Sequence, residues 1–404
     1  MTVNDIETNA AAWPTDRQAR RTFGLKAVAQ IRDELQVGAQ ESEALNRLSD
    51  RSIGALRSSG VLGIMTPDDL GGNAVDPVTA YEIVEAIGYV DPATAWTTAI
   101  LLEGAGEIAT YLEPEISRKV FGTDRLPLKA ASLKPGKGDR RDGGYVISGR
   151  WDFVSGLHHA DFVTAAFLIE NDKGEQVQRF ALMPSDEVEV LDDWRVLGMR
   201  GTGSSSFAAS EVFVPSDFVY DPNGEPRRAD TPLARLGMVP YILQMHSGMV
   251  LGAARRALDE IIAAAPKTRR GGRINLTQPS ALAELTWFQR ELGELDARVQ
   301  AARAFAIAAN ARVGDVIDSG DRVRLELLDQ MQTASSLAAK TSVEVVTRAF
   351  RHAGSAAIID SSLLSRLLRD MNTICAHGVL SEAGFEMHGE FMLGLQDESN
   401  RRIV

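Results

Sequence analysis

The sequence predicts an α+β protein in three consecutive parts. These are an N-terminal helical domain over 1–125, a small central antiparallel β-domain over 126–230 and a C-terminal four-helix bundle over 231–404. Two changes of period carry this reading. Apolar residues recur at three- and four-residue spacing up to about residue 125, alternate through the middle third, and return to helical spacing near 231. The short alternating runs are also separated by Gly, Asp, Asn and Pro, the residues that break strands and make turns.

In the first part, RRTFGLKAVAQIRDEL and NRLSDRSIGALRSSGVLGI have helical spacing. MTPDDLGGN is a loop, broken by Pro67, Gly71 and Gly72. VTAYEIVEAIGYV resumes the helical period. DPATAWTTAILL opens a further helix, with Asp91 as N-cap and Pro92 at its first position. In the middle, YVISGRWDFVS, DFVTAAFLI, RFALMP and SEVFVP are β-rich runs. In the last part, MVPYILQMHSGMVLGAARRALDEIIAAA, ALAELTWFQRELGELDARVQAARAFAIAANARV and LLDQMQTASSLAAKTSVEVVTRAFRHAG predict long amphipathic helices with short connections, as in an antiparallel bundle.

The 404 residues carry a net charge of −12, which argues against nucleic acid and against an anionic membrane surface as partners. The single cysteine, Cys375, excludes an internal disulfide and a cysteine-based zinc site. The start, MTVNDIETNAAAW, is unlike a signal peptide, and no apolar run approaches the roughly 18 residues a bilayer requires. A cytoplasmic protein is expected.

His158 and His159 are adjacent, so their side chains diverge on helix or strand, and no metal site is expected there. If GRWDFVS is one strand, Trp151, Phe153 and Ser155 share a face. That face is either core or the edge of an aromatic cofactor. GMRGTGSSS lacks the strand–turn–helix setting of a dinucleotide fingerprint and the lysine of a P-loop. It is either a turn or a row of groups that can hydrogen-bond a flat ligand. KTRRGGR is either a solvated loop or a phosphate contact through Arg269 or Arg270. His377 and His388 are 11 residues apart, about 16 Å on an unbroken helix, so they cannot act on one atom unless the helix breaks. His246 and His352 read as packing or surface residues.

Three blocks resemble a known family. They are ASLKPGKGDRRDGGYVISGRWDFVSGLHHADFV, DDWRVLGMRGTGSSSFAASEVFVP and LLSRLLRDMNTICAH. They are similar, in the same order, to the two-component flavin-dependent monooxygenases (group D) of the acyl-CoA dehydrogenase fold, which include the oxygenase components of 4-hydroxyphenylacetate hydroxylase and dibenzothiophene monooxygenase. The resemblance implies reduced FMN or FAD supplied by a partner flavin reductase. It also implies O2 activation as a C4a-hydroperoxide, hydroxylation of an aromatic or heteroaromatic small molecule, no metal, and a homotetramer. Many acyl-CoA dehydrogenases of this fold carry a glutamate base shortly after the Arg-Asp pair; here Ala376, His377 and Gly378 follow instead, which implies His377 as a catalytic group. The resemblance further implies Trp151, Phe153 and Ser155 along the isoalloxazine, with Ser132, Thr202, Gly203 and Ser204 completing the flavin and peroxide pocket. Arg269 or Arg270 falls on flavin phosphate across a subunit interface. His158 and His388 are expected in the substrate pocket, although the family pattern assigns His158 no role. Several relatives carry a second histidine in the helix after DPxxAW. This chain has none there, and either Glu103 takes that role or the substrate needs no such group. The alternatives are an acyl-CoA dehydrogenase-type FAD oxidoreductase, an N- or S-oxygenase on the same fold, and a non-catalytic scaffold.

Overall fold

The computed structural model describes residues 13–122, 125–270 and 280–396. The helices α1 (Arg17–Leu45), α2 (Asp50–Ser58), α3 (Pro77–Val90), α4 (Pro92–Tyr111) and α5 (Pro114–Phe121) come first. The strands β1 (Lys129–Arg141), β2 (Gly144–Trp151), β3 (Phe162–Glu170), β4 (Gln176–Pro184), β5 (Glu189–Val190), β6 (Phe207–Pro215) and β7 (Val219–Tyr220) follow. Then come α6 (Pro232–Leu236), α7 (Met238–Ala264), the ribbon of β8 (Arg269–Arg270) and β9 (Ser280–Ala281), α8 (Thr286–Ser319), α9 (Leu325–Ala353), α10 (Leu363–Ile374) and α11 (Ala383–Met392).

Local chemistry sets the ends of the helix that matters most for the site. Asp91 caps α4, its Oδ2 accepting from the Thr94 amide and the Thr94 hydroxyl at 2.8 Å each, and Pro92 occupies the first turn. Such a cap contributes about 1 kcal/mol. Helices from the two ends of the chain share one apolar core: Leu35 and Ile83 pack in the same cluster as Met249, Val299, Met331 and Leu367. The crossing of α3 on α7 is close because Gly88 has no Cβ. One placed there would lie 2.4 Å from the Met249 carbonyl oxygen.

The sheet has the order β5-β6-β2-β1-β3-β4-β7. The sheet is mostly antiparallel, as expected; the one exception is the central β1–β3 pairing, which is parallel from Lys129 opposite Phe162 onward. β1 already has β2 as its hairpin partner on one side. Residues 152–161 therefore cross over and lay β3 on the other side in the same direction. β3 is apolar on both faces because both are covered. Val163, Ala165 and Phe167 pack into the sheet's own core, and Ala166 packs with Ile108, Val120 and Phe121 of α4 and α5. Among the described residues no helix is long and apolar enough to cross a membrane.

Candidate active site

β2 ends at Trp151, and the chain that leaves it builds one wall of a cavity of about 470 Å³. Trp96, Phe153, Ser155, Trp194, Met199, Thr202, Ser204, Thr373, Ile374, Ala376, His377 and Gly378 line it. They come from the first turns of α4, the segment after β2, the loop before β6, and the end of α10 with the residues that follow.

Phe153 does not continue the strand. Its φ is +61°, and its side chain is 76% exposed, edge-on to Trp194 with ring centres 6.1 Å apart. Positive φ is costly for a bulky residue, so the surroundings must hold it. They do: the Val154 amide donates to the Ser205 carbonyl and the Gly156 amide to the Thr202 carbonyl, each at 3.1 Å. Arg150 bridges Asp152 at 2.8 Å and Asp193 at 2.7 Å, tying the end of β2 to the loop before β6.

Between these segments runs a row of buried polar groups. The Trp96 indole N–H reaches Ser155 Oγ at 2.9 Å, Ser155 Oγ meets Ser204 Oγ at 2.7 Å, and Ser204 Oγ meets Thr202 Oγ1 at 2.7 Å. Thr202 Oγ1 donates to the Met199 carbonyl at 2.9 Å. Met199 has φ +56°, and its amide donates to Asp370 Oδ1 of α10 at 2.5 Å. Gly198 lies against the same helix; a Cβ there would be 2.2 Å from the Arg369 carbonyl oxygen. Asp370 is fully buried beside Asp91, which pushes its carboxyl up to about 7.

His377 starts a short 3₁₀ turn. Its Nδ1 accepts from the Val379 amide at 3.4 Å, so in the neutral ring the proton sits on Nε2. Burial holds its pKa below the ordinary histidine value. Its ring meets the Trp96 indole edge-on at 4.9 Å, and His246 of α7 meets Trp96 at the same distance on another side. Behind Trp96, His246 Nδ1 donates to the Ile242 carbonyl at 2.8 Å and lies 3.6 Å from Glu103 Oε1. Burial lowers His246 to about 4 and, reinforced by nearby Glu107, raises Glu103 well above the carboxylate range. Glu103 Oε1 is buried without a hydrogen-bond partner.

The structure thus brings Phe153, Ser155, Thr202, Ser204 and His377 together around one cavity, with Gly203 in the turn between two of them at φ +54°. Five expected residues, Trp151, Ser132, His158, His388 and Glu103, lie outside the cavity lining. Trp151 is in the β-domain core, stacked on Phe207 at 4.8 Å and donating to the Ala166 carbonyl at 2.8 Å, because the strand stops before the alternation can carry it to the Phe153 face. Ser132 donates to the Asp152 carbonyl at 3.1 Å. His158 sits on the 3₁₀ turn after the cavity wall, 3.4 Å from Ser205 Oγ. His388 pairs with Asp329 at 2.9 Å, on α11 against α9. Glu103 lies one layer behind the wall. Arg269 and Arg270 form β8, paired with Ala281 and Ser280; what their side chains touch lies outside the described residues. Among the described residues no cluster of three metal-ligating side chains occurs.

Trp96, Trp194, Met199, Asp370 and His246 escaped the sequence reading as site residues. Trp96 carried a signal, since it follows the Asp91 cap by five residues and faces the same side of α4 as Glu103. His246 carried none, because only the packing of α7 on α4 brings it there.

These features define a cavity between a helical body and a mixed sheet, walled by aromatics and edged by hydroxyls. The chain belongs to the acyl-CoA dehydrogenase family. Residues 17–121 match the acyl-CoA dehydrogenase N-terminal domain and residues 244–382 the C-terminal domain. Indole-3-acetate monooxygenase of Pseudomonas putida is 26% identical over 367 residues, 91% of this chain and 92% of that protein. The oxygenase subunit HsaA of a flavin-dependent monooxygenase from Rhodococcus jostii is 26% identical over 368 residues, 88% of this chain and 94% of its own. The structure of XiaF from Streptomyces sp. in complex with FADH2 and glycerol shares the fold, with a TM-score of 0.86 at 23% identity over 95% of this chain and 98% of that one.

Proposed function

We infer that this chain is the oxygenase component of a two-component flavin-dependent monooxygenase that hydroxylates an aromatic or heteroaromatic small molecule. One observation carries the reading. His377 lines the cavity, and among the described residues lining it none is Asp or Glu, so it holds no carboxylate to serve as the base an acyl-CoA dehydrogenase needs. The nearest buried carboxyl on α4, Glu103, lies behind Trp96 outside the lining, where burial raises it well above the carboxylate range. The relatives' names support the same class of reaction and of substrate.

The residues fit a flavin ring. Phe153 and Trp194 offer aromatic faces to a planar tricycle, and the Ser155–Ser204 row offers hydrogen-bonding atoms along one edge. Bound reduced flavin supplies the two electrons that split O2, one oxygen entering the substrate and the other leaving as water. The chain's part is to orient and to exclude water. Trp96, Met199 and Ile374 make the inner wall apolar. His377 presents Nε2–H as a fixed donor, so in its resting state it stabilises negative charge on oxygen and does not abstract a proton. Reduced FMN or FAD reaches the site from a separate reductase. Arg269 or Arg270 contacts flavin phosphate across the interface of a homotetramer, and the assembly works in the cytoplasm.

The test supplies chemically reduced FMN or FAD and O2 with a panel of phenols and indoles. Hydroxylated product above the hydrogen peroxide background is expected, and His377→Ala should shift oxygen consumption toward peroxide. Bleaching of bound FAD by an acyl-CoA, with no hydroxylation, would sink the oxygenase reading.

A further inference from the structure

The hydroxyl row has a fixed direction, and hydrogen counting shows it. Four contacts link Trp96, Ser155, Ser204, Thr202 and the Met199 carbonyl, at 2.9, 2.7, 2.7 and 2.9 Å. Each contact needs one hydrogen. The indole N–H can only donate, the carbonyl can only accept, and each hydroxyl owns a single hydrogen. Thr202 therefore gives its hydrogen to Met199, Ser204 to Thr202, and Ser155 to Ser204, while Trp96 donates to Ser155. Four donors meet four contacts and none is left over. All three hydroxyls are buried, so no solvent competes for these hydrogens. Ser155 and Ser204 can face the cavity only with lone pairs.

The Met199 end is what closes the row. Its carbonyl also accepts from the Thr202 amide at 3.1 Å and the Trp194 indole at 3.2 Å, so it is thoroughly committed as an acceptor. Its left-handed backbone turns it that way, and Asp370 holds its amide.

We propose that Thr202 is the redox-state selector of the flavin site. By sending its hydrogen to the Met199 carbonyl it keeps Ser204 and Ser155 acceptor-only, so the site takes the dihydro form of the ring. This rests on the flavin reading above. The reduced ring brings N–H at N5 where the oxidised ring brings a bare lone pair. Lone pair against lone pair in a buried site is penalised, whereas N–H against lone pair is a hydrogen bond. Thr202 sets the redox preference through Ser204, as a positioning residue, whatever contact its own side chain makes with the ring.

Removing the sink reverses the sign. In Thr202→Val, Trp96 and Ser155 still donate along the row, and Ser204 has a hydrogen with nowhere to go but the cavity. In Ser204→Ala, the Ser155 hydrogen is freed in the same way. Thr202→Ser keeps the sink. The experiment is equilibrium binding of FMN and FAD, oxidised in air and reduced under anaerobic conditions, to wild type and the three variants. Wild type and Thr202→Ser should share one preference for the reduced form. Thr202→Val and Ser204→Ala should each narrow the ratio of dissociation constants by about tenfold, the worth of one hydrogen bond exchanged for a mismatch. Flavin binding with the wild-type ratio in both variants, or Thr202→Ser behaving as Thr202→Val, would overturn the selector. Failure of wild type to bind flavin in either form would instead overturn the flavin reading itself.

Discussion

Replacing Asp370 with Asn should stabilise this protein above neutral pH, although it removes a carboxylate that accepts a backbone hydrogen bond. Asp370 Oδ1 takes the Met199 amide at 2.5 Å, which an Asn Oδ1 can also do, while Oδ2 is buried without a partner. Burial, then the neighbouring Asp91, raise its carboxyl from 3.8 to about 7; the Met199 amide and Arg366 oppose this only in part. Because the folded pKa is raised, the protonated carboxyl is favoured by folding. That contribution is whole below the unfolded pKa and is lost as pH rises through about 7. Three pH units at about 1.4 kcal/mol each give about 4 kcal/mol between the two limits. Asn carries no such dependence. Urea unfolding at pH 5 and pH 8 checks it: the variant's advantage over wild type should widen by about 2–3 kcal/mol from pH 5 to pH 8, because pH 5 lies between the two pKa values. An Asn variant less stable than wild type at pH 8, or a difference that does not change with pH, would refute the electrostatic account of the Asp370–Met199 contact.

The remaining predictions separate the cavity from its supports. Phe153→Ala should weaken flavin binding by about tenfold with little change in thermal midpoint, because the side chain is largely exposed. Trp151→Phe should do the opposite: it strips the Ala166 carbonyl of its indole donor and costs about 1–3 kcal/mol in unfolding experiments, with flavin affinity retained. Glu103→Gln should be more stable than wild type at pH 8, and the gap should close as pH falls toward the normal carboxylate range, since burial raises the Glu103 carboxyl and folding therefore favours its protonated form; melting curves across pH read this directly. Gly198→Ala should push the cavity loop off α10, costing about 1–3 kcal/mol and lowering flavin affinity in the same titration.

The helices were legible because burial writes a three- and four-residue period into the chain, as at Ala27, Val28, Ile31 and Leu35 of α1, and most strands because Gly, Asp, Asn and Pro separate their β-rich runs. The Asp91 cap and Pro92 were legible because their chemistry is local. The site was legible only in part, and Trp151 and Phe153 show why. A strand rule places them on one face, but it presumes that the strand continues. The strand stops at Trp151, and a φ of +61° at Phe153 sends the second aromatic into the cavity while the first stays in the core. No spacing announces that change, since positive φ at a phenylalanine is imposed by the partners across the gap at 202–205. The parallel β1–β3 pairing was hidden for a related reason, because direction depends on where a crossover lands and not on alternation. The second histidine makes the same point from the other side. It is absent from the helix after DPATAW, where either Glu103 takes its role or the substrate needs no such group. Packing instead sets His246 of α7 against both Trp96 and Glu103. No position within the helix after DPATAW announces such a neighbour, because an imidazole can reach the space beside α4 from any helix that crosses there.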